Sequence, residues 1–203
     1  MKLYNSIGPN PRVVRMFMAE RGIDMHRQEV DLRGAENRRE PYLTTNPFGQ
    51  MPALECDDGA VVTEIIPICE YLDETTPGPS LIGTDAAERA ETRMWMRRID
   101  LNILEPLANG FRFAEGLKLF QNRIRVIPQA ADDLKLTAQD WLTRLDGMMA
   151  GKAFICGSRF TLADILLFVF LDFGAGVGQP LNPDNKAIAS WFEGIKRRPS
   201  TAA

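Results

Sequence analysis

The spacing of apolar residues changes near residue 75. Before that point, short apolar runs typical of β-strands alternate with segments in which apolar residues recur every three or four positions, as in helices. Beyond residue 84 only the helical spacing remains, and the intervening residues include Pro77, Gly78, Pro79 and Gly83. The pattern predicts an α/β domain over residues 1–75, a linker over 76–84 and an all-α domain over 85–203.

The first domain is predicted to follow the order β-α-β-α-β-β-α. Asn10 and Pro11 are suited to the N-cap and first position of the first helix, and Gly22 is suited to end it. The Asp58-Gly59 pair predicts a hairpin between the last two strands. The strands are predicted over 2–5, 28–32, 53–56 and 60–62, and the later helices over 36–45 and 64–74.

Two features of the second domain predict helices with defined ends. Residues 128–149 carry apolar side chains at steps of three, four and one, as an amphipathic helix does. Thr161 and Asp164 are three residues apart, as in a capping box, and Phe160 and Ile165 occupy the positions of a hydrophobic staple. A helix is therefore expected to begin just after Thr161.

Charge and composition argue against several classes of function. The chain of 203 residues has 27 acidic and 24 basic side chains, a formal charge of −3 and no long block of like charge. We therefore expect no nucleic-acid partner. The most apolar stretch, 165–173, is interrupted by Asp172 and is far shorter than the ~20 residues that cross a bilayer. With no leader pattern at Met1–Leu3, we expect a cytoplasmic protein that has no membrane partner.

Cysteine and histidine usage gives little support for metal or redox chemistry. Cys56, Cys69 and Cys156 form no C-x-x-C pair and have apolar neighbours, which is typical of small buried residues in a reducing compartment. His26 is the only histidine, so a histidine-based triad or a zinc cluster is not expected. The sequence predicts no metal site.

Two separate motifs resemble those of the soluble glutathione transferases. Residues 46–54 read NPFGQMPAL and are followed by Asp58-Gly59 and Glu64, like the glutathione-binding core of that superfamily. A hundred residues later, the chain resembles the superfamily's capping motif at Gly157, Phe160, Thr161, Ala163 and Asp164. The resemblance spans essentially the whole chain. It implies a thioredoxin-like domain, then an all-helical domain, with glutathione as co-substrate.

The resemblance also implies how glutathione is bound. Glu64 would hold the ammonium of the γ-glutamyl end, and the Ile65 N–H, at the tip of the third helix, would donate to its carboxylate. Gln50 and Met51 would pair through their backbone with the cysteinyl unit, with a cis bond between Met51 and Pro52.

Two further glutathione contacts are less well matched. Many members have serine where this chain has Ile65, so one hydrogen bond of about 1.5 to 3 kcal/mol would be missing. Residues 37–39 match the stretch that meets the glycyl carboxylate, and Arg39 is the preferred candidate. The alternative for Arg39 is a solvated helix face.

The group that stabilises the glutathione thiolate is the most open question. The thiol pKa must fall from about 8.5 to about 6–7, and one charge-assisted hydrogen bond together with a helix N-terminus suffices for that shift. The segment Pro9-Asn10-Pro11-Arg12, without cysteine, resembles a fungal and bacterial subgroup that lacks the usual catalytic tyrosine, serine or cysteine. Asn10 is the first candidate donor and Ser6 the second. A plain N-cap is the alternative role of Asn10, and Tyr4 is expected in the core.

The second domain offers candidates for the electrophile site. Arg112 could reach the sulphur or the leaving group, and Asn109, Phe111 and Phe113 could form an apolar co-substrate site around it. Aromatic residues at helical spacing are more often packed in a core, which is the alternative reading of both phenylalanines.

Two classes of function remain open. One is an enzyme that joins glutathione to a small hydrophobic electrophile, with reduction of organic peroxides as a side activity. The other is a non-catalytic glutathione-binding or scaffold protein of the same fold. A thiol-disulfide role would need a cysteine between Ser6 and Arg12, and there is none. A homodimer is expected from the family, compatible with the face formed by Arg89, Arg93 and Arg97.

Overall fold

The computed structural model describes residues 1–203, and these form two compact units. The first unit comprises Met1–Leu81 together with Pro199–Ala203, and the second comprises Ile82–Arg198. No helix of either unit combines the length and the apolar composition that crossing a membrane requires.

The first unit is a mixed four-stranded sheet with helices, and it confirms the predicted thioredoxin-like order. The strands lie in the order β2-β1-β3-β4, with β1 parallel to β2 and antiparallel to β3, and β3 antiparallel to β4. The elements are β1 (Lys2–Asn5), α1 (Pro9–Arg21), β2 (His26–Glu29), a 3-10 turn (Glu36–Arg38), α2 (Tyr42–Thr45), β3 (Ala53–Glu55), β4 (Val61–Thr63) and α3 (Ile65–Thr75).

The predicted start of α1 was wrong by two residues. Gly8, with a φ of 108°, is the N-cap, and Pro9 is the first helical residue, so Asn10 lies inside the first turn. The fixed φ of proline suits the first helical position. Both Pro9 and Pro11 could take that position, and the helix begins at the earlier one. The helix does end at Gly22, whose φ of 65° is left-handed, as predicted.

Two other predicted elements of the first unit were also wrong in extent. The second strand covers His26–Glu29 instead of 28–32, and all four residues are exposed, so the apolar pattern did not indicate it. The predicted helix over 36–45 is interrupted because Pro41 has no N–H and restricts the residue before it. The backbone at Arg39 is extended, with a φ of −134°.

The C-terminal end of α1 is fixed by a buried ion pair. The guanidinium of Arg21 is fully buried and pairs with Asp73, near the end of α3, and it also donates to the Thr76 carbonyl at 2.8 Å. Asp73 accepts from the Leu81 N–H at 2.9 Å and from the Ser80 hydroxyl at 2.5 Å. Removing one partner of a buried ion pair leaves the other charge buried without a partner, which is strongly destabilising. The pair therefore holds the end of α1 against the end of α3 and the residues that follow it.

The second unit is built from helices, as predicted, with two isolated β-bridges in the loop before its last long apolar helix. The amphipathic segment predicted over 128–149 begins as a 3-10 turn, Pro128–Ala130, and continues as a helix. The elements of this unit are α4 (Ala86–Ile99), a π-helical segment (Asp100–Leu104), α5 (Glu105–Phe113), α6 (Leu117–Phe120), α7 (Ala131–Met149), α8 (Leu162–Gly176) and α9 (Lys186–Lys196).

The capping box predicted at Thr161 and Asp164 is present at the start of α8. The Asp164 carboxylate is fully buried and accepts four hydrogen bonds: from the Thr161 N–H and hydroxyl, from the Ile155 N–H and from the Trp191 indole. Burial raises the pKa of Asp164 to about 6, against the lowering effect of these donors. One carboxylate thus ties the start of α8 to α9.

The three cysteines are buried and unpaired, in agreement with the sequence prediction. Burial raises the pKa of the Cys69 thiol well above its ordinary value, and burial also raises the pKa of the Cys156 thiol. Both thiols are therefore kept in their neutral, less reactive form.

Candidate functional site

Strand register brings the predicted glutathione contacts of the first unit to one edge of the sheet. Tyr4 in β1 pairs with Ala53 in β3, and Ala53 pairs with Thr63 in β4. The loop that leads into α1, the Met51-Pro52 segment and the start of α3 all directly adjoin these paired positions. The N-termini of α1 and α3 therefore both lie at this edge, where their dipoles favour a bound anion.

The segment before β3 is held by three side chains that donate to two neighbouring backbone carbonyls. The Gln50 carbonyl accepts from the Tyr42 hydroxyl at 2.6 Å and from the Asn46 amide at 2.9 Å. The side chain of Asn37, 2% exposed, donates to the Gly49 carbonyl at 2.5 Å. These bonds fix the backbone just before Met51, while the Gln50 side chain is exposed.

Met51 joins the core through its side chain and leaves its backbone unpaired. Its side chain lies in a buried cluster with Tyr4, Tyr42 and Ala53. The bond to Pro52 is cis, as the resemblance implied. The Met51 N–H and C=O form no hydrogen bond within the chain. A peptide laid along this segment can therefore pair with both groups as an added strand does.

The start of α3 combines an acid with free amide groups. Glu64 is the N-cap residue, with a φ of 69°, which is uncommon for a residue other than glycine. Its exposed carboxylate forms no ion pair or hydrogen bond, and no side chain caps the helix. The N–H groups of Ile65 and Ile66 are unpaired, and Pro67 has none. A carboxylate can bind to these amides while Glu64 holds an ammonium group.

The two candidate thiolate donors near α1 differ in availability. Ser6 is 4% exposed, and its hydroxyl donates its one hydrogen to the Val30 carbonyl at 2.7 Å. The side-chain amide of Asn10, half-buried in the first turn of α1, forms no hydrogen bond within the chain. Asn10 also has the only backbone N–H in the first three residues of α1, since Pro9 and Pro11 have none.

The loop that carries Ser6 is held by a polar network at the end of β1. Arg15, from α1, donates to the Asn5 side chain at 2.8 Å and to the Ser6 carbonyl at 3.0 Å. The Asn5 amide in turn donates to the Glu29 carboxylate at 2.6 Å. Tyr4, predicted as a core residue, is 7% exposed and donates its hydroxyl to Glu55 at 2.8 Å.

The side chain of Arg39 contacts the loop that follows β2. Its guanidinium donates to the Gly34 carbonyl at 2.7 Å and to the Ala35 carbonyl at 3.4 Å. The neighbouring Arg38 donates to the Phe48 carbonyl at 3.2 Å. An arginine has five N–H donors, so Arg39 keeps several for an anion such as a carboxylate.

In the second unit, the polar candidates of α5 interact with one another. Arg112 donates to the Asn109 side chain at 2.9 Å, and Asn109 donates to Glu105 at 3.2 Å. The Arg112 nitrogen also lies 3.8 Å from the Glu105 carboxylate. Asn109 thus links an acid and a base on one face of α5.

The two aromatic candidates of α5 have different surroundings. Phe111 is half-buried and makes edge-to-face contacts with Phe120 and Phe173, at centroid distances of 6.1 and 5.1 Å. Phe113 is only 8% exposed, so its ring belongs to the core of the unit. Phe111 therefore keeps part of its ring surface exposed, whereas Phe113 is a packing residue of the core.

Sequence reasoning missed the residues that hold the site in place. Tyr42 and Asn37 secure the Gln50 and Gly49 carbonyls from a distance of eight and twelve residues. No local pattern marks these side chains, because their role depends on how the loops meet. Asn46 was part of the recognised motif, and its contact with Gln50 gives that position a physical role.

Two family descriptions match the chain. The glutathione S-transferase N-terminal domain matches residues 7–75, and the glutathione S-transferase C-terminal domain matches residues 127–199.

Similar proteins cover nearly the whole chain. Glutathione S-transferase 2 of Saccharomyces cerevisiae is 29% identical over 200 residues, covering 95% of this chain and 84% of that protein. Glutathione S-transferase GstA of Escherichia coli O157:H7 is 28% identical, covering 98% of this chain and 94% of that protein. A crystal structure of a glutathione S-transferase domain-containing protein from Marinobacter aquaeolei VT8 has a TM-score of 0.93 and 30% identity, covering 99% of this chain and 100% of that chain.

Proposed function

The chain belongs to the glutathione S-transferase family, and from this premise we propose that it is an enzyme that joins glutathione to a small hydrophobic electrophile. The glutathione-binding domain is residues 1–75, the linker is 76–84, and the electrophile site is carried by 85–203. The single observation that carries the proposal is the arrangement at the start of α3, where an unpaired carboxylate lies next to two free helix amides.

Glutathione binds through complementary charges and an added strand. Its γ-glutamyl ammonium pairs with Glu64, and its γ-glutamyl carboxylate accepts from the amides that begin with Ile65. The cysteinyl unit pairs with the free backbone of Met51, in the segment formed by Gln50, Met51 and Pro52. The glycyl carboxylate binds to Arg39.

The sulphur is activated without a tyrosine, serine or cysteine, in the manner of the subgroup that lacks these residues. Asn10 stabilises the thiolate through its free side-chain amide or its backbone N–H, at the positive end of α1. Lowering the thiol pKa by about two units takes about 3 kcal/mol, which one charge-assisted hydrogen bond and a helix terminus can supply. The released proton goes to solvent, so no general base is required.

In the reaction, the thiolate attacks the electrophilic carbon and forms a carbon–sulphur bond. The electron pair of the bond that breaks leaves with the departing group, and Arg112 stabilises the charge that develops there. Asn109 orients Arg112, and the exposed side of Phe111 contacts the apolar part of the electrophile. Reduction of an organic peroxide by the same thiolate is a side activity.

The enzyme works in the cytoplasm as a homodimer. Sedimentation velocity at micromolar concentration should give a single species of twice the monomer mass.

Glutathione affinity tests the proposal at its central residue. Glu64→Gln removes the negative charge that faces the ammonium and keeps the size of the side chain. We expect glutathione to bind at least tenfold more weakly to this variant in isothermal titration calorimetry, because a charge-assisted contact is lost.

The matched control is Glu74→Gln, which removes an acid from the other end of α3. This variant should bind glutathione as the unaltered chain does, since Glu74 lies three turns from the helix N-terminus. Equal affinity of all three proteins would contradict the proposed binding mode. Binding without turnover of any aromatic halide would instead favour the non-catalytic alternative.

A further inference from the structure

The first turn of α1 carries the proposed thiolate donor, Asn10, but its own backbone bonds it weakly. Pro9 and Pro11 have no N–H, and no side chain caps the helix. The first backbone bond, from the Arg12 N–H to the Gly8 carbonyl, is long at 3.4 Å. The position of this turn therefore depends on contacts that reach it from elsewhere.

Arg15, in the second turn of α1, makes such a contact. One nitrogen of its guanidinium, Nη1, donates to the Ser6 carbonyl at 3.0 Å and to the Asn5 side-chain oxygen at 2.8 Å. The chain runs from Ser6 through the first turn of α1 to Arg15, and the hydrogen bond of Arg15 returns to Ser6. Residues 6–15 thus form a closed ring, which we call the 6–15 ring, and Asn10 lies in the middle of it.

The start of the 6–15 ring is fixed to the sheet. The Ser6 hydroxyl donates to the Val30 carbonyl at 2.7 Å, and the Val30 N–H donates to the Asn5 carbonyl at 2.9 Å. The side-chain amide of Asn5 donates to the Glu29 carboxylate at 2.6 Å. Because an asparagine amide has one oxygen and one NH₂ group, this bond leaves the oxygen to accept from Arg15. Glu29 therefore orients Asn5 toward Arg15.

Arg15 is held in this place by its hydrogen bonds and not by charge alone. It is half-buried, and burial lowers its pKa because the charged form loses hydration. The carboxylate of Glu29 favours its charged form, while the neighbouring cations Arg12 and Arg27 oppose it. Arg27 is exposed and forms no hydrogen bond or ion pair, so it contributes charge to the same region without contacting the ring.

We propose that Arg15 is a positioning residue for the thiolate donor: it fixes the Ser6 peptide and thereby holds Asn10 against the glutathione sulphur. The inference rests on the proposed function, in which Asn10 stabilises the thiolate. Arg15 acts through Asn10 and makes no contact of its own with the sulphur. Without the guanidinium the 6–15 ring opens, the first turn of α1 moves, and the hydrogen bond to the sulphur loses its geometry.

Arg15→Met tests the proposal, because it keeps the unbranched stem and removes the guanidinium. The thiol pKa of bound glutathione is measured from the ultraviolet absorbance of the thiolate over a pH series. We expect this pKa to rise by about one unit, and kcat/KM with chlorodinitrobenzene near pH 6.5 to fall about tenfold. S-methylglutathione has no ionisable thiol, so in calorimetry it should bind to the variant within about twofold of its affinity for the unaltered chain.

Arg27→Met is the matched control, since it removes a positive charge near Arg15 and breaks no hydrogen bond. It should leave the thiol pKa and kcat/KM within about twofold of the unaltered chain. An equal shift in both variants would overturn the proposal, because the thiolate would then respond to charge and not to the position of Asn10.

Glu29→Ala decides the matter should Arg15→Met fail to fold. Glu29 is exposed on β2, and its loss leaves the Asn5 amide free to turn away from Arg15. We expect the thiol pKa to rise by about half a unit and kcat/KM near pH 6.5 to fall about threefold. Glu29→Gln keeps an acceptor for the Asn5 amide, so it should behave as the unaltered chain does.

Two results would overturn the inference alone. One is an unchanged thiol pKa in Arg15→Met or, where that variant is unfolded, in Glu29→Ala. The other is a loss of S-methylglutathione affinity as large as the loss of kcat/KM, which would show that the whole binding site is disrupted. An unaltered chain that ionises bound glutathione without turnover would contradict the proposed enzyme, while the absorbance series still tests Arg15. An unaltered chain that binds no glutathione would overturn both.

Discussion

Asn10 and Ser6 both lie close to the start of α1, but only one has a hydrogen left to donate. The Ser6 hydroxyl hydrogen is held by the Val30 carbonyl, whereas the Asn10 amide is unpaired. We predict that Asn10→Ala raises the thiol pKa of bound glutathione by about one to two units, which corresponds to the loss of one charge-assisted hydrogen bond. The pH profile of kcat/KM should shift upward by that amount, with a tenfold to hundredfold loss near pH 6.5.

Ser6→Ala is the comparison that makes this prediction specific. Its loss of the bond to Val30 should lower the free energy of unfolding by about 1 to 2 kcal/mol, since a buried carbonyl loses its donor. The pKa of the bound thiol should stay where it is. If Ser6→Ala shifts the pH profile and Asn10→Ala does not, the thiolate donor has been assigned to the wrong side chain.

The sequence suggests Asn10 and Ser6 as thiolate donors, but it does not show which of the two has a hydrogen free to donate. Proline has no N–H wherever it stands, so the shortage of backbone donors near Asn10 was evident from the sequence. The partner of Ser6 was not, because Val30 is 24 residues away and reaches it only through the pairing of β1 with β2.

At the scale of elements, the start of α8 depends on a single buried group, the carboxyl of Asp164. Burial raises the pKa of Asp164 from its ordinary value of 3.8 to about 6, so between these values the folded chain holds a proton that the unfolded chain releases. The stabilising contribution of this proton is complete below about pH 4 and is lost as the pH rises through 6. It amounts to about 3 kcal/mol, from about two pKa units at 1.36 kcal/mol each.

Asp164→Asn tests the sign of that effect. Its amide nitrogen would face two donors of Thr161, so we expect the variant to be less stable by about 2 to 4 kcal/mol at pH 7. Because asparagine does not titrate, the stability gap to the unaltered chain should widen as the pH falls from 7 to 4.5. Urea unfolding at four pH values measures the gap, and a constant or narrowing gap would show that the pKa of Asp164 is not raised.

The elements that the sequence predicted well are those with strong local chemistry. The capping box depends on two residues three positions apart and the hairpin on the adjacent pair Asp58-Gly59, and both were confirmed. The edge strand His26–Glu29 was misplaced because its side chains are exposed and polar, so only its pairing with β1 defines it. Pro41 is visible in the sequence, and because proline interrupts a helix, it predicts a break in the helix expected over 36–45.

For the molecule as a whole, the candidate glutathione site depends on topology more than on any motif. Asn10, Met51 and Glu64 are far apart in sequence, and they adjoin one sheet edge because β1, β3 and β4 are paired in register. The sequence predicted the strands and the residues, while the resemblance supplied the arrangement.

The course of the chain also ties its last residues to the first unit. Pro199–Ala202 form a 3-10 turn that packs on α1. Within it, the Thr201 carbonyl accepts from Arg12 at 3.1 Å, and the Ser200 hydroxyl pairs with Glu20. Both ends of α1 are thus secured by residues that are nearly two hundred positions away in sequence.

Deleting residues 199–203 should therefore loosen α1 selectively. The bonds from Arg12 to Thr201 and from Ser200 to Glu20 are lost, each worth about 0.5 to 1.5 kcal/mol, so we predict amide exchange about tenfold faster at Phe17, in the middle of α1. Ser200→Ala in the full chain, which keeps the Arg12 contact, should give a smaller acceleration. Exchange at Leu167 in α8 is the internal reference, because this residue belongs to the second unit. Equal acceleration at both positions would mean that the deletion weakens the whole fold, and none at Phe17 would mean that the terminal turn does not stabilise α1.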